Sequence, residues 1–290
     1  MKRYTGIMMV AITLIFSSCT ERIHDINLDS TFTHLVVYGE ITTESKTQWV
    51  RLSTTANYFS NVALPVVSGA VIHVYDGTDS VKMVENDSIK GLYQTYSGYR
   101  GVPGKTYKLF INNVDVNNDG NRESYTAESF LPPENPVDSI TLQYTSNLFG
   151  SGWNVNVWAL DDADMKNYYA FKSYKNGVLL TDTLTEYIVQ NDDLFNGSYT
   201  NGITAQYLSD SNGTEKAVPG DTITFELDGI TAEYYRFIQE AQSESFGNNP
   251  IFSGPPANIV GNISNGALGF FTAYSISRAS KVVPDYSSAN

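Results

Sequence analysis

Ala70-Val71-Ile72-His73-Val74-Tyr75, halted by Asp76-Gly77, is the stretch on which the fold class turns. β-branched and aromatic residues alternate with a polar one, and an Asp-Gly pair then supplies turn chemistry. The same grammar extends on both sides. Upstream lie His34-Leu35-Val36-Val37-Tyr38-Gly39-Glu40-Ile41 and Gln48-Trp49-Val50-Arg51-Leu52-Ser53. Downstream come Gly91-Leu92-Tyr93-Gln94-Thr95-Tyr96 and, after Pro103-Gly104, Lys105-Thr106-Tyr107-Lys108-Leu109-Phe110-Ile111. Short alternating strands separated by Gly, Pro and Asx turns predict a β-sandwich over residues 32–131.

Leu131-Pro132-Pro133-Glu134-Asn135-Pro136 interrupts the pattern. Three prolines so close together resist both helix and central strand, so 132–137 reads as a stiff linker. Alternation then resumes in 139–144, 153–158, 168–174, 178–184 and 222–227, which predicts a second β-domain over 138–290. One segment near 231–246 departs from it. Tyr234, Phe237, Ile238 and Ala241 sit at helical spacing, Thr231 is placed to cap, and Glu233 suits the first turn. Asn248-Asn249-Pro250 is placed to end this helix. The fold expected is mainly β: two sandwich-like domains, the first Ig- or prealbumin-like, the second antiparallel with one packed amphipathic helix.

The first residues read as an address. Lys2-Arg3, an apolar run from Ile7 to Phe16, and Ser17-Ser18 before Cys19 describe a secretory signal over 1–18. The run is far shorter than the ~20 residues that cross a bilayer core. Phe16-Ser17-Ser18-Cys19 looks like a lipobox, so Cys19 is the expected lipidation site and 19–31 a tether. Cys19 is the sole cysteine, which excludes internal disulfides and thiolate metal clusters. A formal charge of −13 repels phosphate backbones and argues against nucleic acid as a partner.

The tail carries a more specific likeness: Glu233-Tyr234-Tyr235-Arg236-Phe237, Asn249-Pro250-Ile251-Phe252, Pro255-Pro256, Gly261-Asn262-Ile263 and Gly266-Ala267-Leu268-Gly269-Phe270-Phe271-Thr272-Ala273-Tyr274-Ser275. With the lipobox and the proline segment, the chain from about Leu35 to Ser277 resembles the Bacteroidota lipoprotein family called domain of unknown function 4249. The stretches Pro65–Val71, Gly91–Tyr93 and Pro103–Leu109 resemble prealbumin-like or carboxypeptidase-regulatory-like modules. The family resemblance implies an envelope lipoprotein, often encoded beside TonB-dependent outer-membrane receptors. It implies no activity and no catalytic residues.

Among candidate sites, Asp115, Asn117, Asp119, Asn121 and Glu123 are the sharpest. The first three stand at positions 1, 3 and 5 of a calcium loop with Gly120 at the sixth. Thr126 occupies the twelfth, where a bidentate Glu belongs, and the same residues also suit a polar hairpin tip. A calcium held there would be structural, and no other cofactor is expected. Asp161-Asp162-Ala163-Asp164 and Asp192-Asp193 could supply an acid/base pair, or solvated turns. His24, His34 and His73 lack ligand spacing. Trp49, Trp153 and Trp158 suggest a sugar-stacking platform, but Trp153 and Trp158 fall on opposite faces of a regular strand. Gly261–Tyr274, with Phe270-Phe271, reads either as a partner surface or as a closing strand. The function expected is a non-catalytic outer-membrane lipoprotein, accessory to a TonB-dependent receptor in ligand capture or nutrient uptake, on an undecided face of the membrane. Its rivals are a secreted hydrolase of glycans or peptides using carboxylates, and a structural or adhesion component of the envelope. Ligand-binding residues are not identified.

Overall fold

The alternating stretches become strands in the computed structural model, which describes residues 33–55, 64–117, 119–148, 150–181, 183–245 and 259–286. Cys19, the signal segment, the tether and Asn248-Asn249-Pro250 lie outside the described residues. The N-terminal part holds β1 (Leu35–Thr42), β2 (Trp49–Thr54), β3 (Val71–Tyr75), β4 (Ser80–Glu85), β5 (Leu92–Gln94), β6 (Thr106–Val114) and β7 (Glu123–Phe130). The remainder holds β8 (Val137–Asn147), β9 (Gly150–Ala159), β10 (Tyr168–Lys175), β11 (Val178–Leu179), β12 (Ile188–Asn191), β13 (Ile203–Ser209), β14 (Thr222–Ile230) and β15 (Leu268–Val282), with helix α1 (Ala232–Ser245) between the last two. The stretch 178–184, read above as one strand, keeps only the short β11. A 3-10 turn follows at Leu184–Glu186.

Strand pairing runs unbroken in the order β11-β10-β14-β15-β1-β2-β5-β4-β3-β6-β7, while β13-β9-β8 form a separate three-stranded sheet. β15 joins the two parts. It pairs antiparallel with β14 and parallel with β1, from Val36↔Leu268 to Thr42↔Tyr274. The proline segment therefore does not interrupt the large sheet. Gly269 makes the junction feasible: its φ is +94°, and a Cβ there would meet the Val37 carbonyl oxygen at 2.0 Å. Phe270 and Phe271 are buried, so Gly261–Tyr274 leads into a central strand and presents no Phe-Phe surface.

Three cores result. The first lies inside the curled N-terminal strands, where Val37, Leu52, Ile72, Leu109 and Tyr125 meet Phe271 and Ala273 of β15. β7 returns toward β15, and the Ala273 amide donates to Ser129 Oγ at 2.9 Å. The second lies between the three-stranded sheet and β10/β14, with Trp153, Val155 and Leu208 against Tyr169, Phe225 and Leu227. The third lies on the opposite face of β10, β14 and β15, where α1 packs Tyr234, Phe237 and Ile238 against Phe270 and Ile276. As the spacing required, Thr231 Oγ1 accepts the Tyr234 amide at 3.2 Å, and one helix face is buried.

The proline segment is clamped down. Ser275 Oγ donates to the Pro133 carbonyl at 3.0 Å, and the Val137 amide donates to Ser277 Oγ at 2.9 Å. Among the described residues no helix is long and apolar enough to cross a membrane.

Candidate functional site

Strands β10 and β14 carry different chemistry on their two faces, because successive side chains point to opposite sides of a strand. Tyr169 and Phe171 of β10, with Phe225 and Leu227 of β14, face the three-stranded sheet. Lys172, Glu226 and Asp228 face the other way, toward α1 and β1. Each face makes a distinct feature.

On the first face is a cavity of about 380 Å³, walled largely by apolar side chains from β9, β10, β12, β13 and β14. β13 enters it through a bulge. Thr204 pairs with Asn156 and Gln206 with Val155, so Ala205 between them is unpaired and lines the cavity. The loops after β9 and β12 complete the wall with Asp161, Leu194, Phe195 and Tyr199. Leu194 is 91 % exposed and Ile203 55 % exposed, an unusual placing for large aliphatic side chains beside an opening. The wall also holds a polar chain that runs from half-buried Asn135 to buried Tyr169 and Asp161. Asn135 Nδ2 donates to Tyr169 Oη at 2.5 Å, Tyr169 Oη donates to Asp161 Oδ1 at 2.5 Å, and the Gly197 amide donates to Asp161 Oδ2 at 3.0 Å. Burial, then the Asp161 carboxylate, push the Tyr169 phenol well up, so it remains a donor.

On the second face the charges close on one another. Lys172 Nζ donates to Asp228 Oδ2 at 2.5 Å, Glu226 Oε1 at 3.2 Å and Tyr274 Oη at 3.3 Å, which uses all three ammonium protons. It also lies 4.7 Å from the Tyr274 ring centroid and 5.2 Å from that of Tyr187. Arg278 grips Glu226 and Glu44, and Tyr174 Oη donates to Glu226 at 2.9 Å. Glu40 accepts from Tyr274 Oη at 2.6 Å and Trp49 Nε1 at 3.0 Å, and pairs with Lys46 at 3.3 Å. Burial alone would discharge Lys172, but Asp228, the neighbouring phenols and Glu226 outweigh it and hold the ammonium charged. Burial pushes Asp228 well up, whereas Glu226, between two cations, is held below the usual carboxylate range despite its burial. A cleft of about 560 Å³ opens beside this cluster, between β1/β2 and β10/β14/β15. Its charged groups already hold each other, so the cluster acts as a clamp across five strands.

The residues singled out from sequence fall in several places. Asp115 accepts the Asp119 amide at 3.1 Å and the Gly120 amide at 3.0 Å, and Asn117 Nδ2 donates to Asp119 at 3.0 Å, all within the β6–β7 hairpin. Asn121 donates its amide to Asp119, and Glu123 is turned to the Tyr125 hydroxyl within β7. Among the described residues no group of three or more His, Cys, Asp or Glu could hold a metal ion. Asp161 reaches the cavity but serves Tyr169 and Gly197. Asp162 accepts the Asp164 amide at 3.0 Å, Asp192 accepts the Asn167 amide at 2.6 Å, and Asp193 pairs with Lys166 at 2.6 Å. The tryptophans do not form one platform. Trp49 packs on Tyr38, Trp153 is fully buried, and Trp158 is on the outer face near Tyr199. Sequence reasoning missed Lys172, Glu226 and Asp228, and it did not connect 168–174 with 222–227 as walls of one cavity.

These features define a class: a mainly β protein with a sandwich, one packed helix, a charge clamp and an open apolar cavity. The chain belongs to the family described as Domain of unknown function (DUF4249), whose model matches residues 21–280. No match was found among curated proteins.

Proposed function

We propose that the protein is a non-catalytic lipoprotein of the outer membrane, anchored through Cys19, that captures a small ligand for uptake by a TonB-dependent receptor. The cavity of about 380 Å³ carries this reading, because ligand pockets fall in the range of about 300–1,000 Å³ and combine apolar walls with a few placed polar groups. The acidic side chains around it favour capture over catalysis. Asp161 and Asp192 accept backbone amides of the loops that frame the opening, which leaves them to shape the site. The lipobox-like Phe16-Ser17-Ser18-Cys19 supports the anchor, and the family resemblance supports the receptor partner.

Affinity purification of the tagged full-length chain from mildly solubilised native membranes tests the assignment. A TonB-dependent receptor recovered in near-equal amount is the expected result. Recovery of the lipoprotein alone would overturn the accessory role.

A further inference from the structure

The cavity wall says which end of a ligand it prefers. A 150 Å³ apolar cavity admits benzene, so one of about 380 Å³ has room for an alkyl chain of roughly ten carbons. Phe171, Phe225, Leu227 and Val157 offer such a chain nothing but apolar contact. The polar groups on the wall are different in kind. The Tyr169 hydroxyl proton is committed to Asp161, and one Asn135 amide proton to Tyr169. Thr200 gives its proton to the Val157 carbonyl at 2.6 Å, and Gln190 one of its two amide protons to the Asn191 carbonyl at 3.2 Å. Asn135 and Gln190 each keep a second amide proton, while Asp161 adds a carboxylate to the same wall. A head group that donates hydrogen bonds is matched there. A carboxylate would meet the buried Asp161 carboxylate, a like charge, in a chain whose formal charge is −13.

We propose that the cavity binds an amphiphile with a medium-length alkyl chain and a hydrogen-bond-donating head, an alcohol or ammonium, and discriminates against a carboxylate. This rests on the capture reading above and names the ligand class of the same site.

The test uses the full chain carrying Cys19→Ser, which receives no lipid. N-phenyl-1-naphthylamine, a neutral apolar probe, is bound first and then displaced by decan-1-ol, decylammonium or decanoate at pH 7.5. Saturable probe binding is expected, with displacement by the alcohol and the ammonium at concentrations at least tenfold below decanoate. Asp161→Asn is expected to narrow that gap. Probe binding with decanoate competing equally or better overturns the head-group preference and leaves the capture site standing. Failure of the probe itself to bind overturns both.

Discussion

Lys172 is the residue on which the clamp turns. Burying an ammonium costs several kcal/mol, and only close carboxylates and hydrogen bonds offset that. Its own removal leaves Glu226 with Arg278 and Tyr174, and Asp228 without its donor. Lys172→Met is expected to lower unfolding stability by about 3 kcal/mol or more, read from the urea midpoint. A second residue-scale prediction concerns Asp76, whose carboxylate is lowered to about 2, first by the Lys105 bond and then by the Asp79 amide. Because its folded pKa lies below the unfolded one, the bond contributes fully above the unfolded value. That contribution disappears as pH falls toward about 2. Asp76→Asn keeps a turn acceptor but loses the charge. Its stability deficit at neutral pH is expected to shrink over that acid window, as thermal unfolding at several pH values will show. Asp76 was legible as a turn residue from the Asp-Gly pair. Glu226 was not legible as a buried charge: Thr222–Leu227 has the alternation of a half-exposed strand, and the covering Lys172 lies 54 residues away.

At the scale of the element, pleated alternation identified the strands wherever it was regular. β6 buries Tyr107, Leu109 and Ile111 and exposes the residues between them. β7 escaped because its inward positions include Ala127 and Ser129, which carry little hydrophobic signal. β13 escaped because the bulge at Ala205 shifts its phase, so Ala205 and Gln206 break the two-residue period. The same irregularity aims Ala205 into the cavity. β15 shows the opposite case: Gly269, inside the stretch read as a partner surface or a closing strand, is a close-approach point. Gly269→Ala brings a left-handed φ and a clash with Val37 together. The expected cost is more than about 2 kcal/mol, seen as a lowered melting temperature with weakened β1–β15 pairing in amide exchange.

For the whole molecule, the sequence led to two domains because prolines at 132–136 look like a linker and composition gives no sign of the return of β15. Parallel pairing of β1 with β15 joins residues more than 200 positions apart, and no local pattern announces it. The consequence is structural. β10 and β14 are fixed from behind by the Lys172 cluster and α1, so their forward face can leave space open without the sheets closing on it. β15 pairs with strands of both parts, so the N-terminal strands brace the sheet behind the cavity.

The most direct test of that site is to fill it. Ala205→Trp, at the bulge, places an indole where the cavity stands. N-phenyl-1-naphthylamine binding and thermal unfolding would be measured side by side on this variant and the parent chain. The account predicts saturable binding by the parent, its loss in the variant, and a melting temperature unchanged or raised, since filling empty space adds contacts. Undiminished probe binding by a stably folded Ala205→Trp chain would contradict it.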